Sequence, residues 1–149
     1  MFKLSMRSKD RMAGINPKLI KVVNYAITVT KVDFGVTQGL RTIEQQRALL
    51  AARKTQTMKS KHLTGDAVDL IAYVGGHISW DLDLYDDIAD AMKLGAIKYN
   101  VKMRWGGAWT VPDIAKWNKT MEAAQMSYID QRRKEKRRPF IDGPHFELN

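Results

Sequence analysis

Three observations predict an α+β fold, a small antiparallel sheet flanked by helices, over the 149 residues. Segments with helical apolar spacing alternate with short strand-like runs, and no long βαβ pattern of a doubly wound sheet emerges. Two strand-like arms meet at Gly75-Gly76, a hairpin turn that makes them antiparallel neighbours. The length suffices for a core without covalent staples, so one domain over 1–149 is expected.

Each element follows from local chemistry. Asn16-Pro17 combines an N-cap with proline at the first helical position, and Leu19, Val22, Val23, Ala26 and Ile27 then form one apolar face. Asp33 to Arg41, D-F-G-V-T-Q-G-L-R, reads as a short strand with glycine punctuation. Thr42 and Gln45 match a capping box, opening a helix from Ile43 to about Arg53. Thr55 to Thr64 is a polar, basic loop feeding a strand from Ala67 to Val74, and His77 to Trp80 is the returning arm. Asp81 or Asp83 caps a helix bearing Leu84, Ile88, Ala91, Met92 and Gly95. The rest of the run Asp81 to Asp87 reads as solvated charge, because it lacks the central Gly and terminal Glu of an EF-hand loop. Val101 to Trp105 is a further strand, broken at Gly106-Gly107. Pro112-Asp113 starts a long basic helical run over about 114–138, stopped by Pro139, and His145 to Leu148 alternates like a final strand.

Composition narrows the function classes. There is no cysteine, which removes disulfides, thiolate metal sites and thiol catalysis. No stretch approaches the ~18 apolar residues of a membrane span. The N-terminal M-F-K-L-S-M-R-S-K-D lacks the apolar core of a secretory signal, so synthesis in the cytoplasm is expected. A net charge of +9 suggests a polyanionic neighbour: nucleic acid, anionic membrane or cell wall.

The candidate chemistry gathers around Asp69, an acid in an otherwise apolar strand. Burying an unpaired carboxylate costs several kcal/mol, so it calls for a partner. His62 stands in the loop that feeds the strand, and His145 stands near the chain's end. Two imidazoles and one carboxylate make a zinc set with a fourth position open to water. A His-Asp pair is more often a hydrogen-bonded structural pair, and Gly65-Asp66 is equally compatible with an ordinary turn. Asp142, three residues before His145, favours the metal reading, since it supplies a carboxylate within reach of a water on the same ion. His77, the third histidine, lies at a turn and reads as a surface residue.

Ser60-x-His62-x-x-Gly65-x-Ala67-x-Asp69 resembles the S-x-H-x-x-G-x-A-x-D signature of the LAS-type zinc peptidases, and Asp142-x-x-His145 resembles their second motif. The likeness extends through Gln38-Gly39-Leu40-Arg41-Thr42 and Arg104-Trp105-Gly106, and is least over Ile114 to Arg138. It implies zinc on His62, Asp69 and His145, Asp142 as catalytic acid/base, and Arg41 beside the site to hold a substrate carboxylate or the oxyanion. Arg41 is equally compatible with a structural ion pair. Asp rather than Glu at 142 points to the phage L-alanyl-D-glutamate peptidase branch. The function implied is hydrolysis of that bond in peptidoglycan stem peptides by an endolysin. Such an enzyme is made in the host cytoplasm and reaches the wall after the membrane is permeabilised. The alternatives are a D-Ala-D-Ala carboxypeptidase or dipeptidase, and a non-catalytic basic protein binding cell wall or nucleic acid.

Ser60 and Trp109 are placed beside Arg41 as substrate-binding candidates, and Trp117 is read as core. The run Arg132 to Arg138 carries six positive charges against Glu135 alone. It reads as a solvated helix end or as a contact for anionic cell-envelope polymers. A monomer is expected, with peptidoglycan rather than nucleic acid as its partner.

Overall fold

The structure, a computed structural model, describes residues 1–55 and 57–149. Gln56, within the loop expected over 55–64, lies outside the described residues. Helices α1 (Met6–Arg11), α2 (Pro17–Val29), α3 (Ile43–Ala51), α4 (Leu82–Tyr99) and α5 (Met121–Lys134) alternate with five strands. These are β1 (Asp33–Gln38), β2 (Ala67–Val74), β3 (His77–Ser79), β4 (Met103–Trp105) and β5 (His145–Leu148). The sheet is antiparallel throughout, in the order β1-β2-β5-β4, with β3 also on β2. The expected α+β class is borne out.

Strand alternation assigns every side chain to a face. Val68, Leu70 and Ala72 of β2 are fully buried on the face that α4 covers, in one core with the apolar residues of α2. Phe146 lies opposite Val68, and Trp105 lies opposite Phe146, so these aromatics join the same core face. Both rings are 0% exposed, and burial of each large apolar side chain contributes about 1.5–3 kcal/mol. The intervening residues must point the other way. Asp69 pairs with His145 and Gln38, while Glu147 pairs with Ala67 and Arg104. Cross-strand partners share a face, so the polar residues of three strands and the end of β1 assemble on one side.

The N-caps expected from sequence form: the Asn16 side chain accepts from the amide of Lys18, and Thr42 with Gln45 closes its capping box. Asp81, not Asp83, caps α4. Three expectations need correction. The helical run over 114–138 is not continuous. Asp113 caps a short 3₁₀ turn, Ile114–Lys116, and Thr120 caps a separate α5 by accepting from Ala123. That helix ends at Lys134, and Lys136 turns left-handed (φ 58°) before Pro139 is reached. The acidic run is not all solvated, because Asp86 is buried at 6% exposure on the flank of α4. Helix α1, capped by Ser5, was absent from the sequence expectation; its buried residue is the polar Ser8, so it has no apolar stripe to reveal it.

Candidate metal centre

His62 lies in a 3₁₀ turn, Lys61–Thr64, that ends the loop before β2. Ser60 starts the turn by accepting a hydrogen bond from the His62 amide. Gly65 ends it in the left-handed region at φ 78°, where a Cβ would also meet the Gly14 carbonyl oxygen at 2.6 Å. Only glycine satisfies both conditions. Two residues on, Ala67 enters the sheet, and alternation then brings Asp69 onto the polar face. The spacing of the motif is therefore the length of one turn plus the pitch of one strand.

His145 reaches the same place from β5, directly opposite Asp69. Its backbone amide donates to the Asp142 carbonyl, closing a turn that carries the Asp142 side chain to the rim of the same cavity. The turn packs on Gly106, whose amide donates to the His145 carbonyl and whose carbonyl accepts from the Asp142 amide. A Cβ at Gly106 would sit 2.2 Å from the Asp142 carbonyl oxygen, so a larger residue would push this turn off the sheet.

The outer hydrogen bonds place a proton on one nitrogen of each imidazole and turn the other inward. His62 Nδ1 lies 2.8 Å from the Gly39 carbonyl oxygen, which can only accept, so Nδ1 carries the proton and Nε2 the lone pair. His145 Nε2 lies 2.9 Å from Glu147 Oε1. Burial alone would raise the Glu147 pKa, but His145 and Arg104 lower it to about 2, so it is an acceptor and His145 Nε2 the donor. The remaining nitrogens, His62 Nε2 and His145 Nδ1, face Asp69 Oδ1 at 3.2 and 3.1 Å. Two inner imidazole nitrogens and a carboxylate oxygen thus converge on one point, where a proton or a metal ion must lie between them. Such a cluster demands a cation.

A proton can serve for part of it. Burial would lower the His145 pKa, yet hydrogen bonds to Asp69 and Glu147 raise it to about 9. Asp69 feels the same contest: burial pushes its pKa up, while the two imidazoles hold it well below the usual carboxylate range. A divalent ion serves all three ligand atoms together, and these lie within 4.8 Å of one another. The donor set, two imidazole nitrogens with backed tautomers and one carboxylate, fits a metal ion.

Around this corner lies a cavity of about 680 Å³, whose walls include Arg41, Ser60, Trp109 and Asp142. Burial and the charge of Asp69 raise the Asp142 pKa, against the opposing pull of the imidazoles and Arg41. Trp109 stacks on Phe140 and tilts against the His145 ring at 5.5 Å, forming a wall of the cavity. Trp117 is partly buried against the core, and His77 is exposed on the β2–β3 hairpin. Arg41 makes no ion pair among the described residues; its guanidinium donates to two glutamine oxygens instead.

Sequence reasoning missed Glu147 and its holders. Arg104 Nη2 reaches Glu147 Oε2 at 3.1 Å, and Lys61 lies 3.5 Å from the same oxygen. The signal was present in His145-Phe146-Glu147, since alternation places the acid on the histidine's side of β5.

This geometry sits in a chain whose residues 1–149 match the profile of the phage L-alanyl-D-glutamate peptidase family. The chain belongs to that family. It is 32% identical to the L-alanyl-D-glutamate peptidase of Escherichia phage T5, over 99% of this chain and 98% of the relative. The L-alanyl-D-glutamate peptidase of Listeria phage A118 is 33% identical over 83 residues, which is 53% of this chain and 27% of that protein. Among solved structures, the Serratia marcescens L-Ala D-Glu endopeptidase ChiX superposes with a TM-score of 0.73 at 32% identity, covering 99% of this chain and 90% of that one. The family and the hydrolase class implied by the two motifs are borne out.

Proposed function

We propose that the chain is a zinc peptidase of one domain, 1–149, that hydrolyses the L-alanyl-D-glutamate bond of peptidoglycan stem peptides as a phage endolysin. The observation that carries this is the convergence of the inner imidazole nitrogens of His62 and His145 on Asp69 Oδ1 in a chain of this family. The activity in the relatives' names favours the endopeptidase over the carboxypeptidase alternative. A non-catalytic binder would have no use for an open metal corner inside a cavity.

His62, Asp69 and His145 would hold the ion, and zinc suits their mixed nitrogen and oxygen set. Bound there, zinc would supply Lewis acidity, activating water near neutral pH and polarising the peptide carbonyl. Asp142 takes the proton of the attacking water and returns it to the amine of D-glutamate as the C–N bond breaks, leaving L-alanine with a free carboxylate. Burial raises its pKa above that of a free carboxylate, which favours the return of the proton. Arg41 faces the cavity as a cation for the substrate carboxylate or the oxyanion. Ser60 and Trp109 bound the groove. Arg132 to Arg138 would contact anionic envelope polymers, the monomer being synthesised in host cytoplasm and acting after membrane permeabilisation. Among the described residues no helix is long and apolar enough to cross a membrane.

Mass spectrometry of purified Gram-negative peptidoglycan, digested with and without a chelator, tests the reading. Chelator-sensitive release of stem peptides lacking L-alanine is expected. Loss of terminal D-alanine alone, or no cleavage by metal-loaded protein, would overturn it.

A further inference from the structure

Arg41 is buried at 8% exposure, yet its guanidinium has no carboxylate within ion-pair distance among the described residues. Buried cations are normally paired with an anion. Here Nη1 donates to Gln46 Oε1 at 2.6 Å and Nη2 donates to Gln38 Oε1 at 2.9 Å. Both partners are neutral amides. A guanidinium has five N–H groups, and Nε–H is buried without a partner. The other cations near the metal corner are differently placed: Lys61 and Arg104 both attend Glu147.

The two glutamines are themselves fixed. Gln38 ends β1 at a register shift after Val36, which aims its side chain onto the Asp69 face. Gln46, wholly buried on α3, donates its Nε2 to the Thr57 carbonyl at 2.5 Å, so its oxygen must face Arg41. A glutamate at 46 would set oxygen against that carbonyl. A glutamate at 38 would instead neutralise Arg41.

We propose that Gln38 and Gln46 are specificity-determining positioning residues, which hold Arg41 without neutralising it and so reserve its charge for the free α-carboxylate of D-glutamate. The enzyme is then selective for stem peptides whose D-glutamate is not amidated. This rests on the L-alanyl-D-glutamate reading of the site. Charge complementarity supports it: Asp69 and Asp142 act on Arg41 only from beyond ion-pair distance, and a D-glutamate linked through its side chain presents one carboxylate near the scissile bond.

The test compares Gln38→Glu with the wild type on two synthetic tripeptides, L-alanyl-γ-D-glutamyl-lysine and its isoglutamine counterpart. Hydrolysis is measured with metal-loaded protein, and equilibrium binding with chelator-stripped protein. For the wild type, kcat/KM is expected to favour the carboxylate peptide by about ten- to a hundredfold, the worth of a charge-assisted hydrogen bond. In Gln38→Glu, kcat/KM for that peptide falls about tenfold and its preference over the isoglutamine peptide narrows by the same factor, and binding to chelator-stripped protein loses the same selectivity. Its melting temperature changes little, because the ion pair gained with Arg41 is offset by the like charge of Asp69 directly opposite. Gln38→Met, which removes the amide oxygen without adding charge, should lower the same kcat/KM less. Equal treatment of both peptides by the wild type, or an unchanged ratio in Gln38→Glu, overturns the proposal. Selective binding without hydrolysis would uphold the proposal and overturn the assigned reaction instead.

Discussion

Asp69 and Asp86 are both carboxylates withdrawn from water, and their surroundings drive them in opposite directions. Asp69 is 22% exposed and faces two imidazoles, which outweigh the cost of burial and keep it ionised. Asp86 is 6% exposed, and its Oδ1 has no hydrogen-bond partner. Burial raises its pKa to about 7, with help from the charges of Glu122, Asp83, Asp90 and Asp87. The difference is one of company rather than depth. At the candidate metal centre each histidine beside Asp69 has its outer hydrogen bond committed elsewhere, so the inner nitrogens are aimed. On the flank of α4, no group among the described residues donates to Asp86 Oδ1. One carboxylate waits for a cation, and the other would be more stable neutral.

The largest effects are expected on the side of Asp69. His145→Ala removes a ligand atom, and loss of both bound zinc and hydrolysis is expected, by about 10³-fold or more in rate. Metal analysis beside a peptide assay would show it; retained zinc would contradict the ligand set. Asp142→Ala separates binding from chemistry. Hydrolysis should fall by about 10²–10⁴-fold with zinc still at one equivalent, because the proton carrier is gone and the ligands are not. Glu147→Gln is subtler. The amide can still accept from His145 Nε2 through its oxygen, but loses the charge that Arg104 and Lys61 hold in place. Zinc affinity should weaken about 10–100-fold, measured by competition with a chelator.

Asp86→Asn sharpens the other side. Because the folded-state pKa of Asp86 is raised above its ordinary value, the folded protein binds this proton more tightly than the unfolded chain does. The residue therefore costs nothing at pH 4, costs progressively more as pH rises towards about 7, and its cost is constant above that. The asparagine variant should gain about 1–2 kcal/mol over the wild type at pH 8, and the gain should vanish at pH 4. Denaturant titrations at the two pH values would measure it, with peptide hydrolysis unchanged throughout.

How much of this was legible follows from where the information sits. His62, Asp69 and His145 were readable because a turn of fixed length, Ser60 to Gly65, and a strand of period two place them. Helix α2 was readable from its cap and apolar spacing. Gln46 was not, since an amide on a helix announces nothing until α3 meets Arg41. The break between Lys116 and Met121 was hidden because helical spacing continues across it, and only the Thr120 cap marks a new start. Asp86 misled for a similar reason. It stands in an acidic run, and burial on one flank of α4 is decided by how α4 packs, not by its neighbours in sequence.

The measurement closest to the heart of the matter is a calorimetric titration of chelator-stripped protein with zinc, beside the Asp69→Asn variant. One tight site in the wild type, lost or greatly weakened in Asp69→Asn, is the expected result. No site in the wild type, or equal affinity in both proteins, would mean that the converging lone pairs at Asp69 serve a proton and not a metal ion.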